Sequence, residues 1–209
     1  NQVWSWDITK VRGPSPGRFY HLYVMLDVYS RYVVGWVLAE YESGAQAQAL
    51  IASCHRRQGV GPNQLTVHSD RGPSMRSQEV LGLLADLQVR RSYSRPHVSN
   101  DNPYSEAQFK TLKYHPTYPQ RFGSFEEASR YFGELLEWYN TQHRHSGLAF
   151  MTPEDVHLGR AEEKRRQRQQ VLDRVYAEHP ERFVKGPPKA GSVPQEVWIN
   201  KPANLSSAG

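Results

Sequence analysis

Cysteine is almost missing from these 209 residues: Cys54 stands alone. One thiol excludes a disulfide framework and any zinc site built on several thiolates, and it favours a reducing compartment. Long apolar runs are missing as well. No stretch approaches the ~20 residues that a membrane-spanning helix requires, and no basic-then-apolar signal segment opens the chain, so a membrane partner is not expected. Asn1 rather than Met stands first, which suggests an excerpt of a longer polypeptide. Acidic residues are the scarcer charge, 21 against 26 Lys and Arg, and the excess of +5 suits a polyanionic partner without requiring one. The apolar share of 38% is enough for a real core, which excludes wholesale disorder. Length alone allows one domain with an appendage, or two small domains. No internal repeat or low-complexity block is present.

The amino-terminal half alternates in period and texture. Val3 to Thr9 reads as a strand with Trp4, Trp6 and Ile8 on one face and Ser5, Asp7 and Thr9 on the other. Phe19 to Val28 and Tyr32 to Ala39 are aromatic and β-branched, joined by a hairpin at Tyr29-Ser-Arg31. Ser43 and Gln46 make a capping pattern before a stripe of Ala47, Leu50, Ile51 and Cys54 at helical spacing. Leu65 to His68 is a short strand, Met75 to Leu87 a helix, and Val89 to Tyr93 another strand. Five strands in this order predict a mixed α/β sheet, antiparallel early and parallel late, flanked by helices. A polar loop from Ser94 to Pro103 follows, with Asn102 as N-cap and Pro103 in the first helical position of a helix to about Tyr114. Further helices open at Ser124-Phe-Glu-Glu127, at Thr152-Pro153 and near Arg160. Gly186 to Gly191 reads as a linker, and Val197 to Ile199 as a short closing strand. The expected organisation is a core over residues 1–156 and a basic helical and irregular extension over residues 157–209.

Three carboxylates stand where such a sheet brings groups together. Asp7 is central in the first strand, Asp70 lies just past the end of the fourth, and Glu106 lies in the second turn of the helix after the polar loop. If the first and fourth strands are parallel neighbours, Asp7 and Asp70 are adjacent, and Glu106 can face both. A like-charged pair at 4 Å costs roughly 4 kcal/mol at an effective dielectric of 20, so the cluster calls for a cation. Hard oxygen ligands select Mg²⁺ or Mn²⁺ over zinc, and two such ions about 3.5–4 Å apart suit phosphoryl transfer.

Trp4-Ser-Trp-Asp7-Ile-Thr9, His68-Ser-Asp70-Arg-Gly72 and Asn102-Pro-Tyr-Ser-Glu106 resemble the three signatures of the integrase catalytic core. Thirty-five residues separate Asp70 from Glu106, the spacing typical of that superfamily. Tyr139 to Leu148 and Met151-Thr-Pro-Glu154 resemble the downstream part of bacterial insertion-sequence transposases. The resemblance covers roughly Val3 to Val156. It implies a ribonuclease H-like fold and a polynucleotidyl transferase with Asp7, Asp70 and Glu106 as catalytic, metal-binding triad. It also implies two Mg²⁺ or Mn²⁺ ions, cleavage and joining of DNA at element ends and target, and assembly as a dimer or larger on DNA. The expected place is the bacterial cytoplasm, at the nucleoid when on DNA. Related transposases usually carry helix-turn-helix elements upstream, so end recognition would lie mostly outside this sequence. A nuclease that cuts without joining and a non-catalytic DNA-binding remnant are the alternatives.

Lys110 and Lys113 share a helix face with Glu106, which suits a phosphate backbone. Arg71, Arg95 and His97 occupy loops beside the proposed site and are further phosphate-contact candidates. Asp27 reads as ordering the hairpin or pairing with Arg31, and His68 as packing or support. His143 and His145, two apart on a helix, are expected to point in different directions. Arg160 to Lys189 holds nine basic and five acidic residues, which reads as a solvated helix.

Overall fold

The structure is a computed structural model and describes residues 1–95 and 101–200. Five strands form one sheet in the order β3-β2-β1-β4-β5. They are β1 (Val3–Arg12), β2 (Phe19–Asp27), β3 (Val33–Ala39), β4 (Thr66–Ser69) and β5 (Arg90–Tyr93). β1, β2 and β3 are joined antiparallel, and β4 and β5 add parallel to β1. Short turns permit the antiparallel half; the crossovers through α1 (Gly44–Gln58) and α2 (Gln78–Asp86) enforce the parallel half.

Alternation along β1 decides what covers each face. Trp4 and Trp6 are fully buried in a cluster with Ala47, Leu50 and Ile51 of α1 and with Val80 and Leu84 of α2. Ser5, on the opposite side, meets α3 (Pro103–Lys113). That face also carries Tyr20, which meets Phe125 of α4 (Phe125–Thr141) edge-on at 5.4 Å. Asp27 lies at the end of β2, where it accepts from the Ser30 amide at 2.9 Å and hydroxyl at 2.6 Å and so orders the hairpin.

Caps largely follow the sequence. Ser43 accepts from Gln46 N at 3.2 Å and Ser124 from Glu127 N at 3.1 Å. The helix expected from Met75 is split: a 3₁₀ turn covers Ser74–Arg76, and α2 starts only after Ser77, whose hydroxyl caps Val80 N. Val197 to Ile199 forms no strand.

The described chain divides into two compact units, one of Asn1–Leu136 with the segment from Val197, the other of Glu137–Glu196. The boundary falls inside α4. The second unit holds α5 (Pro153–His157) and α6 (Ala161–Glu178) around a small cluster of Leu148, Met151 and Val156. Arg168 of α6 donates to the carbonyls of Ala149 at 2.6 Å and Phe150 at 2.7 Å, which holds two left-handed residues in place. α6 itself buries none of its residues, the solvated helix its mixed charge suggests.

At Gly35 the helix α1 comes close against the sheet. A Cβ there would run into Cys54 Sγ and stand 2.8 Å from the Arg57 guanidinium. Gly35→Ala is expected to cost about 1–3 kcal/mol, read as a lower urea midpoint with an unchanged slope. A midpoint equal to wild type would contradict this packing.

Candidate active site

Strand register places the first two carboxylates. Trp4 pairs with Val67 and Ser5 with His68 in the parallel β1–β4 ladder. Two residues beyond that last pair stand Asp7, still within β1, and Asp70, just past the end of β4. Both stand where the parallel strands run out, the position from which open α/β sheets present their ligands. Asp70 is held by a tight turn: its Oδ1 accepts from Gly72 N at 2.8 Å. A Cβ on Gly72 would stand 3.1 Å from that oxygen and 2.9 Å from Met75 Sδ, so the turn is closely packed.

The third carboxylate arrives on α3, which is fastened to β1 by polar groups. Ser5 Oγ bonds to Ser105 Oγ at 2.6 Å and donates to Asn102 Oδ1. Asn102 Nδ2 reaches Trp6 O at 3.5 Å. At the far end Lys113 Nζ donates to Thr9 Oγ1 at 2.6 Å. The helix thus lies along the Ser5–Asp7–Thr9 face, and Glu106 follows directly after the Ser105 anchor. Asn102 occupies the N-cap position, yet its side chain makes no cap bond. The expected cap is lost because Ser5 and Trp6 use the carboxamide instead.

Asp7 feels both partners. Burial is the main cause that pushes its carboxyl up to about 7; the Asp70 and Glu106 charges add to it, while the Ile8 amide and Lys113 pull the other way. Lys113 is itself lowered by burial, with Asp7 opposing. Among the described residues, no three His, Cys, Asp or Glu side chains stand close enough to hold a metal ion. Asp7, Asp70 and Glu106 thus do not close into one coordination sphere. The donor set nonetheless fits a hard divalent ion. Asp7 and Asp70 each commit one carboxylate oxygen to a backbone amide, at 2.7 Å and 2.8 Å, and neither carboxylate makes a further hydrogen bond among the described residues.

Two models described as integrase core domain match residues 1–99 and 87–153. The transposase of insertion sequence element IS904 from Lactococcus lactis is 31% identical over 74% of this chain and 60% of its own length. Transposase InsF of IS3A from Escherichia coli is also 31% identical, over 74% of this chain and 53% of its own. The chain belongs to the integrase core family. It spans less than two thirds of the length of these transposases. In fold it is similar to the BIV integrase catalytic core, with a TM-score of 0.58 and 20% identity over 78% of this chain and 97% of that one. The HTLV-2 integrase catalytic core in complex with magnesium gives 0.53 and 20% over 75% and 94%. The mixed sheet and its helices are the ribonuclease H-like architecture that the three motifs implied.

Around the carboxylates of this integrase core the basic residues differ in their commitments. The Lys110 side chain is exposed and makes no hydrogen bond or ion pair among the described residues. Arg71 Nε donates to Ser94 O at 3.0 Å and closes the loop after β4. Arg95 is taken up by Asp101, with its amide, Nε and Nη2 bonding the carboxylate at 2.7, 2.9 and 2.9 Å. His97 lies outside the described residues. His68 Nε2 faces the Asp101 carbonyl at 2.8 Å, so that nitrogen carries the proton and Nδ1 accepts from Ser92 Oγ at 3.0 Å. Burial lowers its pKa, which keeps the ring neutral. His143 and His145 do not point apart: their rings meet edge-on at 4.5 Å, because α4 ends at Thr141 and the chain beyond it is no longer helical. Asp101, Ser5 and Ser105 have structural roles that no local pattern announced.

The raised Asp7 carboxyl makes stability fall with pH. Between its ordinary value of 3.8 and about 7, the folded state keeps a proton that the unfolded state releases. In metal-free buffer, Asp7→Asn is expected to raise unfolding free energy by about 1–3 kcal/mol at pH 8 and to change it little at pH 4, read by urea titration. Equal effects at both pH values would show that the carboxylate charge is not the cause.

Proposed function

We propose that this chain is the catalytic part of a bacterial insertion-sequence transposase, which cleaves DNA at element ends and joins the freed strand to a target. The observation that carries the reading is the placement of Asp7 and Asp70 two residues beyond the last β1–β4 pair, with the Glu106 helix fastened alongside. Asp7, Asp70 and Glu106 are the residues proposed to hold Mg²⁺ or Mn²⁺, two ions per site. The magnesium in the HTLV-2 core supports the metal class. When bound, such ions activate the attacking oxygen and stabilise the departing one.

The residues of the chain prepare that chemistry. Asp7, half protonated near pH 7, gives up its proton as cationic charge is taken up, so affinity rises with pH through that range. Glu106 supplies the third carboxylate from a helix whose start is fixed and whose own side chain is exposed. Lys110 and Lys113 line the same helix face and are proposed to contact phosphates. Arg71 retains part of its guanidinium for that purpose, and Arg95, whose Nε and Nη2 hold Asp101, keeps Nη1 for it. Residues 1–156 act as the catalytic part and 157–209 as a basic extension. Pairing of element ends implies a dimer or larger assembly on DNA. Among the described residues no helix is long and apolar enough to cross a membrane; work at the nucleoid in the bacterial cytoplasm fits the relatives.

Glu106→Gln, folded and supplied with Mg²⁺ or Mn²⁺, is expected to lose at least roughly a hundredfold in strand joining. Joining near the wild-type level would refute the site assignment, and wild-type nicking without joining would favour a nuclease instead.

Lys110→Ala is expected to weaken DNA binding uniformly across sequences and to reduce the slope of log affinity against log salt by about 1. An unchanged slope would remove Lys110 from the interface.

A further inference from the structure

The last described residues bear on the helix that carries Glu106. Tyr104 Oη donates to the Trp198 carbonyl at 2.9 Å, and Asn200 Nδ2 donates to Asp101 Oδ1 at 2.8 Å. Val197 to Asn200 form one wall of a cavity of about 370 Å³, with His68 and Asp101 among the groups opposite. Nothing in this contact is a β-ladder: it is built from one backbone carbonyl, one carboxamide and an indole that stays 41% exposed.

The residues it grips are well placed. Asp101 is buried, and its carbonyl takes the His68 Nε2 proton two residues before Asp70. Its carboxylate, drawn well below the usual range by Arg95, also accepts Asn200, five residues before Glu106. Tyr104, two residues before Glu106, has the Arg31 guanidinium 4.1 Å from its ring centre. One residue thereby ties β4 to the start of α3, and the tail holds that residue and the first turn together. A contact with so little apolar burial adds little to global stability. Its effect is local.

We propose that Val197–Asn200 is a strap that positions Glu106 by bracing Asp101 and Tyr104, so that the tail is part of the working core and not a passive end. This rests on the proposed role of Glu106. Asn200 and Tyr104 are positioning residues: neither is proposed to touch DNA or metal.

The test uses the full chain with Asn200→Ala and Tyr104→Phe combined; phenylalanine keeps the ring against Arg31. Amide hydrogen exchange over Pro103–Lys113 is expected to quicken about fivefold, with β2 and β3 and the melting temperature unchanged. Mn²⁺-dependent nicking of supercoiled plasmid is expected to fall by a similar factor. Unchanged exchange in α3, or equal quickening throughout the chain, overturns the strap. So does quickened exchange with full nicking when Glu106→Gln is inactive. If Glu106→Gln proves fully active, the catalytic assignment falls, and the exchange measurement alone still decides whether the tail braces the helix.

Discussion

A polar seam between one strand and one helix carries the rest of this molecule. Ser5 on β1 bonds Asn102 and Ser105, and Lys113 at the other end of α3 bonds Thr9. Apolar packing alone would let the helix slide along the sheet, because it is non-directional. Buried hydrogen bonds do not slide without leaving a donor or acceptor unpaired, at a cost of about 1–3 kcal/mol each. The seam therefore fixes where Glu106 comes to rest beside Asp7, and the β1–β4 register fixes Asp70 independently.

The cost of the arrangement is concentrated in Asp7. Its carboxyl is pushed up by burial and by two like charges, and Lys113 offsets only part of this. The like charges of Asp70 and Glu106 both act on it. The proposed cation resolves the repulsion, and the same repulsion makes the edge selective for cationic charge. A net charge of +5 is too small to glue the whole surface to DNA. Placement matters more: exposed Lys110 shares a helix with an acidic group that metal would neutralise.

Much of this was legible in the residues. The β1 alternation separated the Trp4–Trp6 core face from the Ser5–Asp7–Thr9 face, since period two is a local property of a strand. Asp7, Asp70 and Glu106 were singled out by their places at a strand centre, a strand end and a helix start, and by the resemblance of the three motifs around them. What escaped was non-local. Asn102 before Pro103 has the local form of a cap, and only the fold puts Ser5 where it claims that side chain. Val197 to Ile199 has strand composition, yet its polar partner is Tyr104, and Asp101 takes the next residue, Asn200; no periodicity connects either to it. The Arg95–Asp101 pair escaped as well, because nothing in sequence shows that Asp101 folds back onto the guanidinium. His143 and His145 were misplaced by assuming that α4 continues past Thr141.

The central claim is that Asp7 and Asp70, joined by Glu106, form a site for a divalent cation. A crystal of the chain soaked in Mn²⁺ at pH 8 and measured at the manganese absorption edge tests it directly. The account predicts anomalous density between the Asp7 and Asp70 carboxylates, with Glu106 drawn toward it. Manganese bound elsewhere, or at Asp70 without Asp7, would contradict it.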